Sequence, residues 1–207
     1  GGILSANLPS YQVAHFQDNV GDGPVFNTLL PHVQTEFVCL LNDDVFFVPS
    51  HQDFFASLIE VAKYSSVGCV GPSTDNVCVV WQDIRNCGPF DLLAAVFLHV
   101  FCLLWRTEFI RSMGGFDLSL PGGYDIDLSI RLRAINMKMV IDRRVYLRHI
   151  GSVTLNKFDR NSYMLRAEAA LKQKYGEGIF IDNVYLGGKQ ASNLTDSLGL
   201  ALHEFRL

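Results

Sequence analysis

The chain has 207 residues, about half of them apolar and fewer than a fifth charged, with a formal charge of −4. That composition is globular, and the length fits one domain with a sizeable core and a short appendage. It excludes the basic footprint of a nucleic-acid or anionic-membrane binder, and the longest apolar stretch, Leu92 to Trp105 around His99, is too short to span a bilayer.

Alternation from Tyr11 to Phe16 predicts a short strand, followed by a turn at Asp18–Gly23. Pro24 opens a helical segment over Val25–Val33, which Pro31 kinks or shortens. Five consecutive apolar residues, Phe37 to Leu41, read as a strand buried on both faces. A helix is expected from about Gln52 to Lys63, with Phe54, Phe55, Leu58, Ile59 and Ala62 on one stripe. Val67–Val70 is the next strand, stopped by Gly71-Pro72. This β-α-β-α-β alternation predicts an α/β fold with a mostly parallel central sheet flanked by helices.

Ser73 to Pro89 is polar and irregular, carrying Trp81, Asp83 and Arg85, and a loop of that length is usually functional or mobile. A strand near His99–Trp105, a short helix from Thr107 and the turn Gly114-Gly-Phe-Asp117 come next. A further helix starts near Tyr124 with Leu128, Leu132 and Ile135 as its core stripe. Strands at Met139–Ile141 and Val145–Leu147 lead to Arg148-His149. A helix over Arg160–Tyr175 closes the domain at Gly176. Residues 1–178 are read as the domain, and 179–207 as an arm that could dock a partner or a second copy.

Five cysteines without a Cys-x-x-Cys pair, three of them inside apolar runs, favour reduced thiols over a disulfide framework or zinc site. They point to a cytoplasmic or membrane-peripheral location, which makes the sequon Asn193-Leu-Thr195 a chance match. The chain opens Gly-Gly, without Met or the basic segment of a signal peptide, so a trimmed N-terminus is expected.

Three groups of residues could carry chemistry. Asn42, Asp43 and Asp44 end the buried strand, where open α/β sheets bind ligands; hard oxygen donors there suit Mg²⁺ or Mn²⁺ and, through it, a phosphate. The same residues also suit a plain polar turn. Asp125 and Asp127 fall in the first turn of a helix, where they either cap it or supply a general base. His149 ends a strand as a metal ligand or a structural histidine.

Taken in order, these groups resemble the GT-A glycosyltransferases, and within them the family 2 inverting enzymes. Asn19-Val-Gly21 with Asn27 is similar to that family's Asn-x-Gly…Asn segment, and Leu41-Asn-Asp-Asp-Val45 to its Asp-x-Asp motif. Gly115-Phe-Asp117 resembles its Gly-Phe-Asp turn, Tyr124-Asp-Ile-Asp-Leu…Arg131 its Glu-Asp-x-Asp-Leu…Arg helix start, and Lys174-Tyr-Gly176 its closing Lys-Trp-Gly. The resemblance implies a nucleotide-diphosphate sugar donor, a glycan, lipid-linked or protein acceptor, and a Mn²⁺ or Mg²⁺ cofactor. It implies that Asp44 binds the metal, with His149 reaching the metal or diphosphate. Asn42, Asp43, Asn19 and Asn27 assist on the donor side. Asp125 would be the base, and Asp127 would orient the acceptor or brace the loop. Tyr124 stands where the family has Glu, and no β-α-β unit with an acidic turn precedes Asp18, so the nucleotide-binding half is expected to be truncated or supplied from elsewhere. The alternatives are a non-catalytic GT-A-like domain serving binding or assembly, and a sugar-phosphate nucleotidyltransferase, whose Gly-rich basic loop is not in this sequence.

Overall fold

A computed structural model of the chain describes residues 14–48, 53–77, 82–86, 91–95, 97–151 and 159–176. Tyr11 to Val13, Trp81, Ser152 and the 179–207 arm with its sequon lie outside them. The described elements are α1 (Asp22–Leu29), β1 (Phe37–Leu41), β2 (Val45–Phe47), α2 (Phe54–Ala62), β3 (Val67–Thr74), β4 (Leu92–Ala95), β5 (Cys102–Arg106), α3 (Thr107–Ser112), α4 (Tyr124–Ala134), β6 (Lys138–His149) and α5 (Arg160–Tyr175).

The strands form one sheet in the order β1-β5-β3-β6-β2, with β4 also paired to β6. Its ladders are antiparallel except for β3 with β6, so the sheet is mostly antiparallel and the expected mostly parallel sheet is corrected. The physical reason is β5. It runs antiparallel to both β1 and β3 and lies between them, so β1 and β3 point the same way but never bond each other. The directions implied by a β-α-β pattern are kept; the pairing is not.

Successive residues of the inner strands point to opposite faces and fill two cores, as pleating requires. Cys69, Leu103, Trp105, Met139 and Ile141 pack on one face with Leu128 and Leu132 of α4. Val70, Leu104, Val140 and Leu147 pack on the other with Phe54, Leu58 and Val61 of α2. The strand buried along its length is β3, and β5 nearly so; β1 is only half-buried, and Leu41 is exposed, because β1 ends the strand order. Other expectations shift for local reasons. Ala14 to Phe16 form no strand, and Pro31 converts the end of the first helix into a single 3-10 turn at Leu30–His32. Pro72 sits inside β3 at a register shift, which is where a strand tolerates proline. Met139–Ile141 and Val145–Leu147 are parts of one twelve-residue strand. Ile135 falls on the C-cap of α4 and is exposed, not in its core stripe.

One connection shapes the site. Asn42 to Asp44 join β1 to β2, which stand at opposite ends of the strand order. Four Cα steps reach at most about 14 Å, whereas four strand spacings amount to about 19 Å. The end of β6, with β2 on it, therefore leans back over the ends of β3 and β5. Asn42 N donates to Phe101 O at 2.9 Å, and the His149 ring stacks on Phe101 with centroids 5.1 Å apart.

The turn after α3 is set by two left-handed glycines, Gly114 at φ 76° and Gly115 at φ 72°. Asn27 of α1 clamps the backbone of Phe116: its Nδ2 donates to Phe116 O and its Oδ1 accepts from Phe116 N, both at 2.8 Å. A Cβ on Gly115 would lie 2.2 Å from Asn27 Oδ1, while one on Gly114 meets nothing within 4 Å. Gly114→Ala is expected to cost about 1 kcal/mol, the conformational penalty alone. Gly115→Ala should cost at least about 2 kcal/mol more, through the broken clamp. Urea midpoints measure the difference, and equal losses would mean that the clamp contributes nothing.

Candidate active site

The predicted site residues fall into two groups. The first is built on the start of α4. Asp125 is buried, 7% exposed, and its Oδ1 accepts from Ile126 N at 3.0 Å. Around it, burial and the nearby Asp22, Tyr124 and Asp125 push the Tyr163 phenol up to about 12, so Tyr163 stays a hydrogen-bond donor at neutral pH. Tyr124, in the place where the resembling family carries Glu, is a packing residue. Its ring stacks on Phe116 at 5.2 Å, it lies close against Gly23, and its hydroxyl donates to Leu120 O at 3.2 Å.

Asp127 is fully buried, and both its oxygens are occupied. Oδ2 accepts from Arg131 Nε at 2.8 Å and lies 2.6 Å from Arg131 Nη2. Oδ1 accepts from Lys174 Nζ and from the Tyr175 hydroxyl, each at 2.5 Å. Arg131 also donates to Met113 O at 2.7 Å and Gly115 O at 2.8 Å, and Lys174 to Asp117 Oδ2 at 2.6 Å. The Lys174 and Ser119 contacts hold the Asp117 carboxyl well below the usual carboxylate range. Burial pulls the Lys174 ammonium down, but its carboxylate partners outweigh it and hold it above its ordinary value. The Gly-Gly-Phe-Asp turn, α4 and α5 are thus joined by one carboxylate. Asn27 belongs to this group as the clamp on Phe116, with both ends of its amide engaged. Asn19 is exposed, its Oδ1 accepting from Gly21 N at 3.1 Å.

The second group joins the Asn42–Asp44 turn to the end of β6. Asp44 O accepts from Ile150 N at 3.0 Å and Asp44 Oδ2 from Gly151 N at 3.1 Å. Asp44 Oδ1 is buried, makes no hydrogen bond and lies 3.3 Å from His149 Nε2. His149 is 5% exposed, and its Nδ1 is 3.0 Å from Asn76 O. A carbonyl only accepts, so Nδ1 carries the hydrogen and a neutral ring turns the Nε2 lone pair toward Asp44. Two acceptors that face each other at this distance call for a cation, a proton or a metal ion, between them. Asn42 is half-buried and Asp43 exposed in the same turn.

Carboxylate oxygen with imidazole is a donor set that suits Mn²⁺, and Mg²⁺-type sites commonly hold the ion by one or two protein ligands plus phosphates and water. Among the described residues no group of three or more His, Cys, Asp or Glu is placed to hold a metal ion. The fit is therefore to a two-ligand site.

Sequence reading did not select Lys174, Tyr175 or Asp117 as site residues, although the closing Lys-Tyr-Gly was a usable signal. Asn76 and Phe101, which fix the tautomer and plane of His149, carry no local signal, since both contacts are long-range.

No family profile matches the chain, and no curated protein matches it. Among solved structures it is similar to the mannosyltransferase PcManGT from Pyrobaculum calidifontis, solved in complex with GDP-Man and Mn²⁺. The likeness has a TM-score of 0.57 at 14% sequence identity and covers 88% of this chain. The chain spans 60% of the length of that protein. At this identity the likeness shows a GT-A-like fold. No described helix is long and apolar enough to cross a membrane.

Removing one partner of a fully buried charge costs about 3–5 kcal/mol, whereas an exposed helical pair contributes about 0.3–0.5 kcal/mol. Lys174→Met should therefore lower unfolding stability by about 3 kcal/mol. Lys172→Met, which loses the partly exposed Glu168 pair, should lower it by no more than about 0.5 kcal/mol. Chemical denaturation of the two variants tests the contrast, and similar losses would remove Asp127 from its central place.

Proposed function

We propose that the chain is the catalytic portion of a metal-dependent, inverting glycosyltransferase that moves a sugar from a nucleotide-diphosphate donor to an acceptor hydroxyl. The observation that carries this reading is the Asp44–His149 pair, a buried oxygen without a hydrogen bond facing an imidazole nitrogen on a GT-A-like scaffold. Asp44 and His149 would hold a Mn²⁺ or Mg²⁺, which when bound neutralises the charge of the leaving diphosphate. Asn76 orients the imidazole toward that position, and the backbone amide of Gly151 fixes the other Asp44 oxygen. Asn42 and Asp43, next in the turn, are the residues nearest in sequence for donor contacts.

Asp125 is assigned as the base. It takes the proton from the acceptor hydroxyl as that oxygen attacks the anomeric carbon opposite the departing diphosphate, and such an in-line displacement inverts the configuration. Asp127, with both oxygens bound, keeps the helix start in place rather than accepting a proton. The similar mannosyltransferase was solved with GDP-Man and Mn²⁺, which supports testing guanosine diphosphate first.

Calorimetry of the chain with GDP or UDP is expected to show binding that requires Mn²⁺ and weakens at least about tenfold in Asp44→Ala. Binding that is absent, or indifferent to Asp44→Ala, would overturn the metal site and leave a non-catalytic domain. Asp125→Asn should keep donor binding while slowing sugar transfer or donor hydrolysis at least about a hundredfold. Unchanged turnover in that variant would move the base elsewhere.

A further inference from the structure

Two thiols face each other across the rungs between β1 and β5. Cys39 pairs with Leu104 and Cys102 with Leu41, so Cys39 and Cys102 are diagonal neighbours on one face of the sheet. Their sulfurs are 3.9 Å apart and share a hydrogen bond. Cys102 is fully buried, whereas Cys39 is only partly buried and is the more exposed of the two. Cys69 is fully buried and belongs to the core on the opposite face. Diagonal positions in an antiparallel ladder are farther apart than a relaxed disulfide prefers. Among the described strands β1 ends the order and bonds only β5, and the 3.9 Å between the sulfurs is the gap that closure has to remove.

We propose that Cys39 and Cys102 form a redox-active dithiol, with Cys39 the attacking and Cys102 the resolving thiol, whose oxidant is a small disulfide such as oxidised glutathione. The Cys39 thiolate attacks one sulfur of the glutathione disulfide; a mixed disulfide forms and glutathione thiolate leaves. Cys102 gives up its proton and attacks the Cys39 sulfur, and the second glutathione leaves. The protein loses two thiol hydrogens and gains one disulfide, while the oxidant is reduced to two glutathiones. The hydrogen bond from Cys102 holds the Cys39 thiol below its ordinary value against burial, consistent with Cys39 as the attacking group. Burial pushes Cys69 up and keeps it inert.

The pair lies next to the proposed metal turn: Cys102 follows Phe101, whose carbonyl takes the Asn42 amide and whose ring supports His149. A disulfide there ties together the two strands from which that turn and that ring depart. The inference does not rest on the glycosyltransferase reading, since its test involves neither metal nor nucleotide.

The experiment is peptide mapping of the whole folded chain after incubation with excess oxidised glutathione in the absence of air, without reduction. The expected result is a Cys39–Cys102 linked peptide, reversed by dithiothreitol, with Cys69 unmodified. Cys102→Ser should instead stop at a stable glutathione adduct on Cys39, and Cys39→Ser should show neither product. Three wild-type results would overturn the proposal without recourse to the variants: a lasting adduct on Cys39 with no link, a link through Cys78 or Cys87 in its place, or no modification of Cys39.

Discussion

The buried carboxylate of Asp127 is the constraint on which the rest of the site depends. A charge with no exposure to water is tolerated only when its oxygens are met by donors, and Arg131, Lys174 and Tyr175 supply them. Those donors come from two helices, and Arg131 carries the connection on to the carbonyls of Met113 and Gly115. One ionic centre thereby locks α4, α5 and the glycine turn together. Asp125 lies two residues earlier on the same helical turn, so its position is held by a neighbour whose own oxygens are engaged. The Asn27 clamp on Phe116 does the same from the side of α1.

The second constraint is chain length. Three residues between β1 and β2 cannot cross a flat sheet, so the end of β6 folds over the strand tips and delivers His149 to Asp44. The register shift at Pro72 and Ser73 and the stacking of His149 on Phe101 belong to that bend. The product of the bend is a carboxylate oxygen sealed from water beside a ring nitrogen whose tautomer is set by a backbone carbonyl. In a low-dielectric setting a cation between two such facing acceptors is strongly favoured.

The parts that could be read in advance were those with a local cause. Phe54, Leu58 and Ala62 of α2, Leu128 and Leu132 of α4, the Pro31 break, the two glycines before Phe116 and the closing glycine of α5 all act within a few residues, whereas Phe55 and Ile135 of the expected stripes are exposed. The short edge strands β2 and β4 went unread because neither is long enough to show a period. The sheet was expected to be parallel because β-α-β spacing reports strand direction, while β5 inserts itself from far along the chain. Phe37–Leu41 looked doubly buried from its apolar run; the strand order decided otherwise. The clamp that Asn27 makes on a backbone 89 residues away left no local signal.

The sequence by itself determined the supply of parts: helix-start carboxylates, a strand ending in acidic residues, a terminal histidine and a GT-A-like order of motifs, since each rests on neighbours in the chain. Only the tertiary structure decided which parts meet. It placed Asp44 against His149 and set Lys174 and Tyr175 on Asp127. It turned Tyr124 into packing and brought Cys39 to Cys102. Burial, desolvation and pairing are properties of contacts between distant segments, and local pattern carries no record of them.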